Sequence, residues 1–364
     1  MQLIKNPLLG NSLLPVEVVF HPSWWFHNYG ITFEEDFFYH PKKRVEVELK
    51  MENALYERFG EFGLGVDHGK KLPVIGAVHL AAGFIISEMM GCEVEYKEDA
   101  PPRVLAANIE KLEVEPEQAF NSEIFRKFKK LAEELKRGYG YLLGDLNWGG
   151  ILNIALDLRG ENIFYDIHDN PENALRFFMS IARILETFTR EVEAQTGTTS
   201  ISVNRNVAHF IHPVFLHSEC SHTMISVKDY EAVLINFDIE WSKHRRPFGI
   251  HYCGNDPHRY AEAFSKIPNV DFLDVGWGGD VKLLRQHLPK TFLNIRLNPV
   301  EMPGYLPKTI HDSIVKLVDD SGNPWLTGVC CINMDEKVPD RNVTAIFETV
   351  LELRKHYWKL AGDK

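Results

Sequence analysis

From Leu72 onward, short apolar runs alternate with stretches whose apolar residues recur every three or four positions. L-P-V-I-G-A-V (72–78) reads as a strand. Residues 122–137 carry Ile124, Phe128, Leu131 and Leu135 at helical spacing, with Gly138 as the stop signal. Tyr141–Gly150 reads as a strand and turn. A long helix then opens at Pro171, with Ala174, Phe177, Ile181, Leu185, Phe188 and Val192 as its apolar stripe and Gly197 past its end. T-S-I-S-V (199–203) is the next strand, followed by a loop at 204–226 and a helix from Val227 to Lys243. Further strands fall at Phe248–Tyr252, Val270–Val275, Thr291–Ile295 and Trp325–Cys331, with helices at about 256–266, 279–287, 308–319 and 339–356.

Strand alternating with helix implies parallel strands joined by helical crossovers. No G-x-G-x-x-G opens a helix after the first strand, which disfavours a dinucleotide-binding sheet. The expected architecture is an α/β fold, a (β/α)8 TIM-type barrel over residues 71–364. Residues 1–70 read as an extension packing on it. That extension holds a dense aromatic stretch: His21, Trp24, Trp25, His27 and Tyr29, then Phe33, Phe37, Phe38 and Tyr39. A helix follows from Pro41 to about Gly60, with Val45, Leu49, Ala54, Leu55 and Phe59 on one side. Such an arm can cap a pocket or an interface in a homodimer, although core burial is the commoner role of aromatics.

The 364 residues are 45% hydrophobic and carry a formal charge of −11, an acidic balance that argues against a nucleic-acid surface. Lys243, His244, Arg245 and Arg246 cluster at a predicted helix end, where cations are favoured by the helix dipole. No apolar run reaches the length of a membrane span, and the first 20 residues lack a cleavable leader pattern. Five cysteines, at 92, 220, 253, 330 and 331, are too scattered for a disulfide framework. The expectation is a cytoplasmic protein, where thiolates more often serve metals or catalysis.

The candidate chemistry centres on P-F-G-I-H-Y-C-G-N-D-P (247–257). Side chains at i and i+2 of a strand share a face, so His251 and Cys253 point the same way. An imidazole beside a thiolate at a strand end is half of a zinc site. The doublet Cys330–Cys331 ends the strand W-L-T-G-V-C-C, and only one of two neighbours can face inward. His251, Cys253 and one cysteine of the doublet leave a fourth position open, as catalytic zinc sites do. Asp274 can add an oxygen ligand, hold a ligand in place, or be a solvated loop residue. A second cluster, His217, Glu219, Cys220 and His222 in H-S-E-C-S-H, reads as substrate-pocket residues, as a rival metal site, or as a polar loop tethered by its own hydrogen bonds.

These stretches resemble the uroporphyrinogen decarboxylase superfamily, over roughly Leu72 to Leu353, and within it the zinc-dependent corrinoid methyltransferases. G-I-H-Y-C-G-N looks like the methyltransferase motif whose His and Cys bind zinc. V-C-C-I-N-M-D-E-K-V-P-D-R-N-V-T-A-I resembles the family's last strand and following helix, although the gap between the cysteine and Pro339 is about two residues longer than the usual pattern. G-D-L-N-W-G-G-I-L-N-I-A-L and D-N-P-E-N-A match its middle section. The resemblance implies zinc ligands His251, Cys253 and Cys330, with Cys331 as the alternative, and Asn255 as a cofactor contact. His217, Glu219 and Asp274 are the candidates for catalytic side chains. It also implies a separate corrinoid protein as partner, because the chain has no D-x-H-x-x-G cobalamin motif.

Zinc would act as a Lewis acid on a methyl ether while the methyl passes to cobalt; Trp24, Trp25 and Phe26 would suit an aromatic ether. The reverse direction, from methyl-corrinoid to a thiol, is the alternative. The decarboxylase branch fits less well, since the R-Q-A-G-R stretch is missing and the last strand has Cys where that branch has His. A non-enzymatic scaffold barrel is the remaining alternative.

Overall fold

The computed structural model describes residues 7–10, 12–76, 83–198 and 203–362. Ten strands are present among them: β1 Val16–Phe20, β2 Val74–Gly76, β3 Glu93–Glu95, β4 Arg103–Leu105, β5 Leu143–Asp145, β6 Phe215–Ser218, β7 Phe248–His251, β8 Phe272–Val275, β9 Phe292–Arg296 and β10 Thr327–Met334. Six form one parallel sheet in the order β1-β10-β9-β8-β7-β6, curled into half a barrel. A parallel pair, β2-β5, and an antiparallel pair, β3-β4, stand beside it. Helices pack on the outside, so the architecture is α/β and TIM-like. The pairings β1–β2 and β5–β6, which would close a full (β/α)8 barrel, are not among those of the described residues.

The helices begin and end where local chemistry directs. The helix Glu123–Tyr139 starts on Ser122, whose hydroxyl accepts the Phe125 N–H. It runs through Gly138 and stops at Gly140, which takes the left-handed conformation at φ 82°. The helix Pro171–Thr196 stops likewise at Gly197. The predicted single helix from Val227 to Lys243 is two, Val227–Val233 and Ile235–His244, broken at buried Leu234. In one straight helix, residues 230 and 238 would lie about 12 Å apart along the axis. The break lets Tyr230 Oη donate to Asp238 Oδ2 at 2.6 Å. The strand expected at 199–203 lies almost wholly outside the described residues, as do positions 77 and 78 of the strand at 72–78.

One reading needs correction, and one alternative falls, that of an arm capping a pocket. V-E-V-V-F (16–20) is not part of an extension laid on the barrel: it is β1, paired along its length with β10. The aromatic arm is core. Trp24 and Trp25 are 1% and 0% exposed, with Trp24 stacked on Phe20 at 4.0 Å and edge-on to Trp25 at 4.8 Å. Neither ring is available to line a substrate pocket.

Alternation along the sheet sorts side chains into two faces. Leu216, Phe272 and Phe292 face the concave interior at the bottom and pack with Val207, Phe210 and Val214. Gly249 sits in that row, where a Cβ would press on Phe272 at 3.0 Å, and Gly328, in register with Asn294 in the next row, leaves room for Phe292, which a Cβ there would meet at 2.7 Å. Two residues further along each strand the interior turns polar, with His251, Asp274 and Asn294 in register. Glu17, Cys330 and Arg296 are also in register with one another. Ile250, Leu273, Leu293, Val329 and Cys331 face the helices.

Because Trp24 fills the space between β1 and the helix Pro41–Phe59, Trp24→Ala should cost about 3–5 kcal/mol in urea unfolding. A loss below about 1 kcal/mol would show that the ring is not part of the core.

Candidate metal centre

The polar layer ends at His251. Its Nδ1 lies 2.7 Å from Asn204 Oδ1 and 2.5 Å from Asp274 Oδ2. A proton on Nδ1 is therefore the favoured tautomer, and the Nε2 lone pair faces Cys253 Sγ at 2.7 Å. Asp274 is fully buried, which alone would push its carboxyl up; Arg296 and then His251 outweigh burial and hold it below its usual range.

A third donor comes from β6. Register pairs Phe215 with Phe248 and Ser218 with His251. Continuing two residues brings Cys220 beside Cys253, and their Cα atoms are 5.1 Å apart with the sulfurs joined. Once reduced, Cys220, His251 and Cys253 offer two sulfurs and one nitrogen within 4.8 Å of one another. This set fits zinc: soft thiolates, an imidazole whose far nitrogen is anchored by a carboxylate, and half-buried cysteines that leave one side approachable.

The other predicted residues separate. Cys330 faces the interior, as one of the doublet must, but does not join this set. It is fully buried beside Arg296, and burial, followed by the Asp274 and Glu17 carboxylates, pushes its thiol well up. Cys331 packs among the apolar residues behind the sheet, where burial pushes its thiol up to about 12. Asp274 contacts His251 Nδ1 and is not one of the three donors. Asn255 is exposed on the turn after β7.

The cluster H-S-E-C-S-H divides around the strand end. His217 points outward, its Nδ1 2.7 Å from Asp238 and its ring 4.9 Å from Trp241. His222 is fully buried between Tyr230 and Tyr260, with centroids at 4.8 and 5.5 Å, and neither ring nitrogen has a hydrogen-bond partner among the described residues. Glu219 turns to the helix Ile151–Arg159, accepting the Leu152 N–H at 2.7 Å and the Asn153 N–H at 3.1 Å. Only Cys220 enters the centre. A signal for it is the parallel between P-V-F-L-H-S-E-C (213–220) and P-F-G-I-H-Y-C (247–253): each cysteine stands five residues past a paired phenylalanine.

His217 lies between two carboxylates, Asp238 at 2.7 Å and Glu219 at 3.6 Å. Burial opposes its charge, yet the carboxylates win and raise the imidazole to about 9. The Ile151 N–H also points at Nε2, but from 3.3 Å, the weaker influence beside two negative charges. The stability from this charge is full below pH 6.5 and lost as pH rises through about 9. The urea midpoints of wild type and His217→Gln should differ most at pH 6.5 and converge above pH 9. A constant gap would mean that the ring is neutral throughout.

No protein-family model matches this sequence, and no curated protein matches it. Solved structures do share the fold. A methyltransferase from Methanosarcina mazei superposes with a TM-score of 0.63 at 12% identity, covering 95% of each chain. A B12-independent methionine synthase from Shewanella sp. W3-18-1, in complex with selenomethionine, superposes with a TM-score of 0.50 at 12% identity, covering 95% of this chain and 100% of that one. At such identity the likeness establishes the fold alone.

Proposed function

We propose that this chain is a zinc-dependent methyltransferase of a corrinoid system. It moves a methyl group between a small methylated substrate, such as a methyl ether, and the cobalt of a corrinoid carried by a separate protein. The observation that carries this reading is the donor set of Cys220, His251 and Cys253 at the carboxyl ends of parallel strands, where barrel enzymes place their chemistry. The fold shared with an enzyme named as a methyltransferase supports it.

The chain's contributions follow from geometry. Asp274 and Asn204 hold the His251 ring so that Nε2 faces the sulfurs. Arg296 compensates the Asp274 charge, which keeps an orienting carboxylate in a buried layer. Cys220, His251 and Cys253 would hold a zinc ion, which would supply Lewis-acid chemistry to a substrate oxygen or thiol. Asn255, exposed beyond β7, is the residue proposed to contact the cofactor. The burial of Trp24 and Trp25 removes the reason to prefer an aromatic ether.

Reduced wild-type protein should carry about one zinc per chain by elemental analysis. His251→Ala, Cys253→Ser and Cys220→Ser should lose it, and Cys330→Ser and Cys331→Ser should keep it. Methyl transfer from a panel of methyl ethers to reduced cobalamin should disappear in the same three variants. Retention of zinc in Cys220→Ser with loss in Cys330→Ser would return the third ligand to β10. Absence of zinc from wild type purified with the metal present would defeat the proposal.

A further inference from the structure

Cys220 leaves β6 in a single 3-10 turn, Cys220–Met224, and such a turn has little stiffness of its own. What fixes it lies outside the donor set. The fully buried Glu219 carboxylate accepts three backbone N–H groups: Leu152 at 2.7 Å, Asn153 at 3.1 Å and Ser221 at 3.3 Å. The first two belong to the opening turn of the helix Ile151–Arg159, where unpaired donors and the helix dipole favour an anion.

Asn153 binds the same turn from the other side. Its side-chain nitrogen donates to the Ser218 carbonyl at 3.0 Å, and its side-chain oxygen accepts from Ser221 N at 2.9 Å and Ser221 Oγ at 2.6 Å. The Gly150 N–H donates to the Ser218 carbonyl at 2.6 Å. Residues 218, 219 and 221 are thus tied to one helix start, and Cys220 is held between them. The fit is close, because a Cβ at Gly150 would stand 2.4 Å from Glu219 Oε2.

We infer that Glu219, with Gly150 and Asn153, is the positioning device that makes Cys220 a metal ligand, so that the loop after β5 decides how many sulfurs the centre holds. This rests on the reading of Cys220, His251 and Cys253 as the metal site. Glu219 touches none of those donor atoms through its carboxylate. It acts by fixing the backbone on either side of the cysteine.

The test uses the full chain, reduced and loaded with Co2+, whose sulfur-to-cobalt absorption band scales with the number of thiolate ligands. Wild type should show the band of two thiolates, and Cys220→Ser about half of it. Glu219→Gln, which keeps the size but meets the helix N–H groups with an amide, should also fall to about half, with affinity against a competing chelator about 10–100-fold weaker. Gly150→Ala and Asn153→Ala should move the same way, which keeps the question open to answer if one variant does not fold. Glu219→Gln added to Cys220→Ser should change the band and the affinity little further, because the two changes remove one contribution.

A folded Glu219→Gln protein with the full band and wild-type affinity would overturn the inference, as would additive losses in the double variant. A Cys220→Ser protein with the full band, or wild type with no Co2+ band, would instead overturn the metal-site reading beneath it.

Discussion

The structure depends on one constraint: in a parallel sheet held in continuous register, every second side chain faces inward, and a neighbour across the ladder shares its face. From β6 to β1 this rule builds an apolar floor of Leu216, Phe272 and Phe292, with His251, Asp274 and Asn294 above it. A shift of one residue in β7 would send Ile250 inward and His251 out against the helices. The apolar floor prevents that slip, since Gly249 accepts the approach of Phe272 and a larger residue there would not. Burial of the aromatic floor therefore fixes where the imidazole stands.

The polar layer is stable because its charges are distributed among partners. Arg296 contacts Asp274, which accepts from His251, and Asn206 and Asn294 donate to Glu17. Glu17 sits next to Cys330 in register, and burial pushes its carboxyl up to about 8 against the lowering effect of Asn294. A neutral or nearly neutral acid and a raised thiol surround the guanidinium on the β1 side, whereas Asp274 is kept charged on the β8 side. The layer is thus polarised toward His251, the side on which an anchored imidazole is useful to a metal.

Much of this was legible from the chain. Strand–helix alternation after Leu72 gave the α/β class, and the i, i+2 spacing placed His251 and Cys253 together on one strand end. The opposite faces of Cys330 and Cys331 also followed from strand period alone. Two strands of the six-stranded sheet escaped for a physical reason: V-E-V-V-F and F-L-H-S are four or five residues long, and each carries a polar residue facing a polar interior rather than solvent. Periodicity reads Glu17 and Ser218 as loop residues, because it assumes that polar means exposed. With β6 unseen, Cys220 belonged to a loop, and its place across the ladder from Cys253 was marked only by the parallel of its segment with P-F-G-I-H-Y-C.

The two faces of the sheet meet at that cysteine. Inside, Asp274 and Asn204 set the angle of an imidazole; outside, the carboxylate of Glu219 sets the path of the turn that carries Cys220. A buried carboxylate is costly unless its oxygens are filled. Here they are filled by the N–H groups of a helix start, with the charged His217 ring 3.6 Å away and Asp238 behind it. These groups are backbone or locked by the broken helix at Leu234, so they do not rearrange with a side-chain rotation. The turn that carries Cys220 is built on them. Rigid support from behind the sheet is what the proposed centre needs, because its third donor stands on a single 3-10 turn.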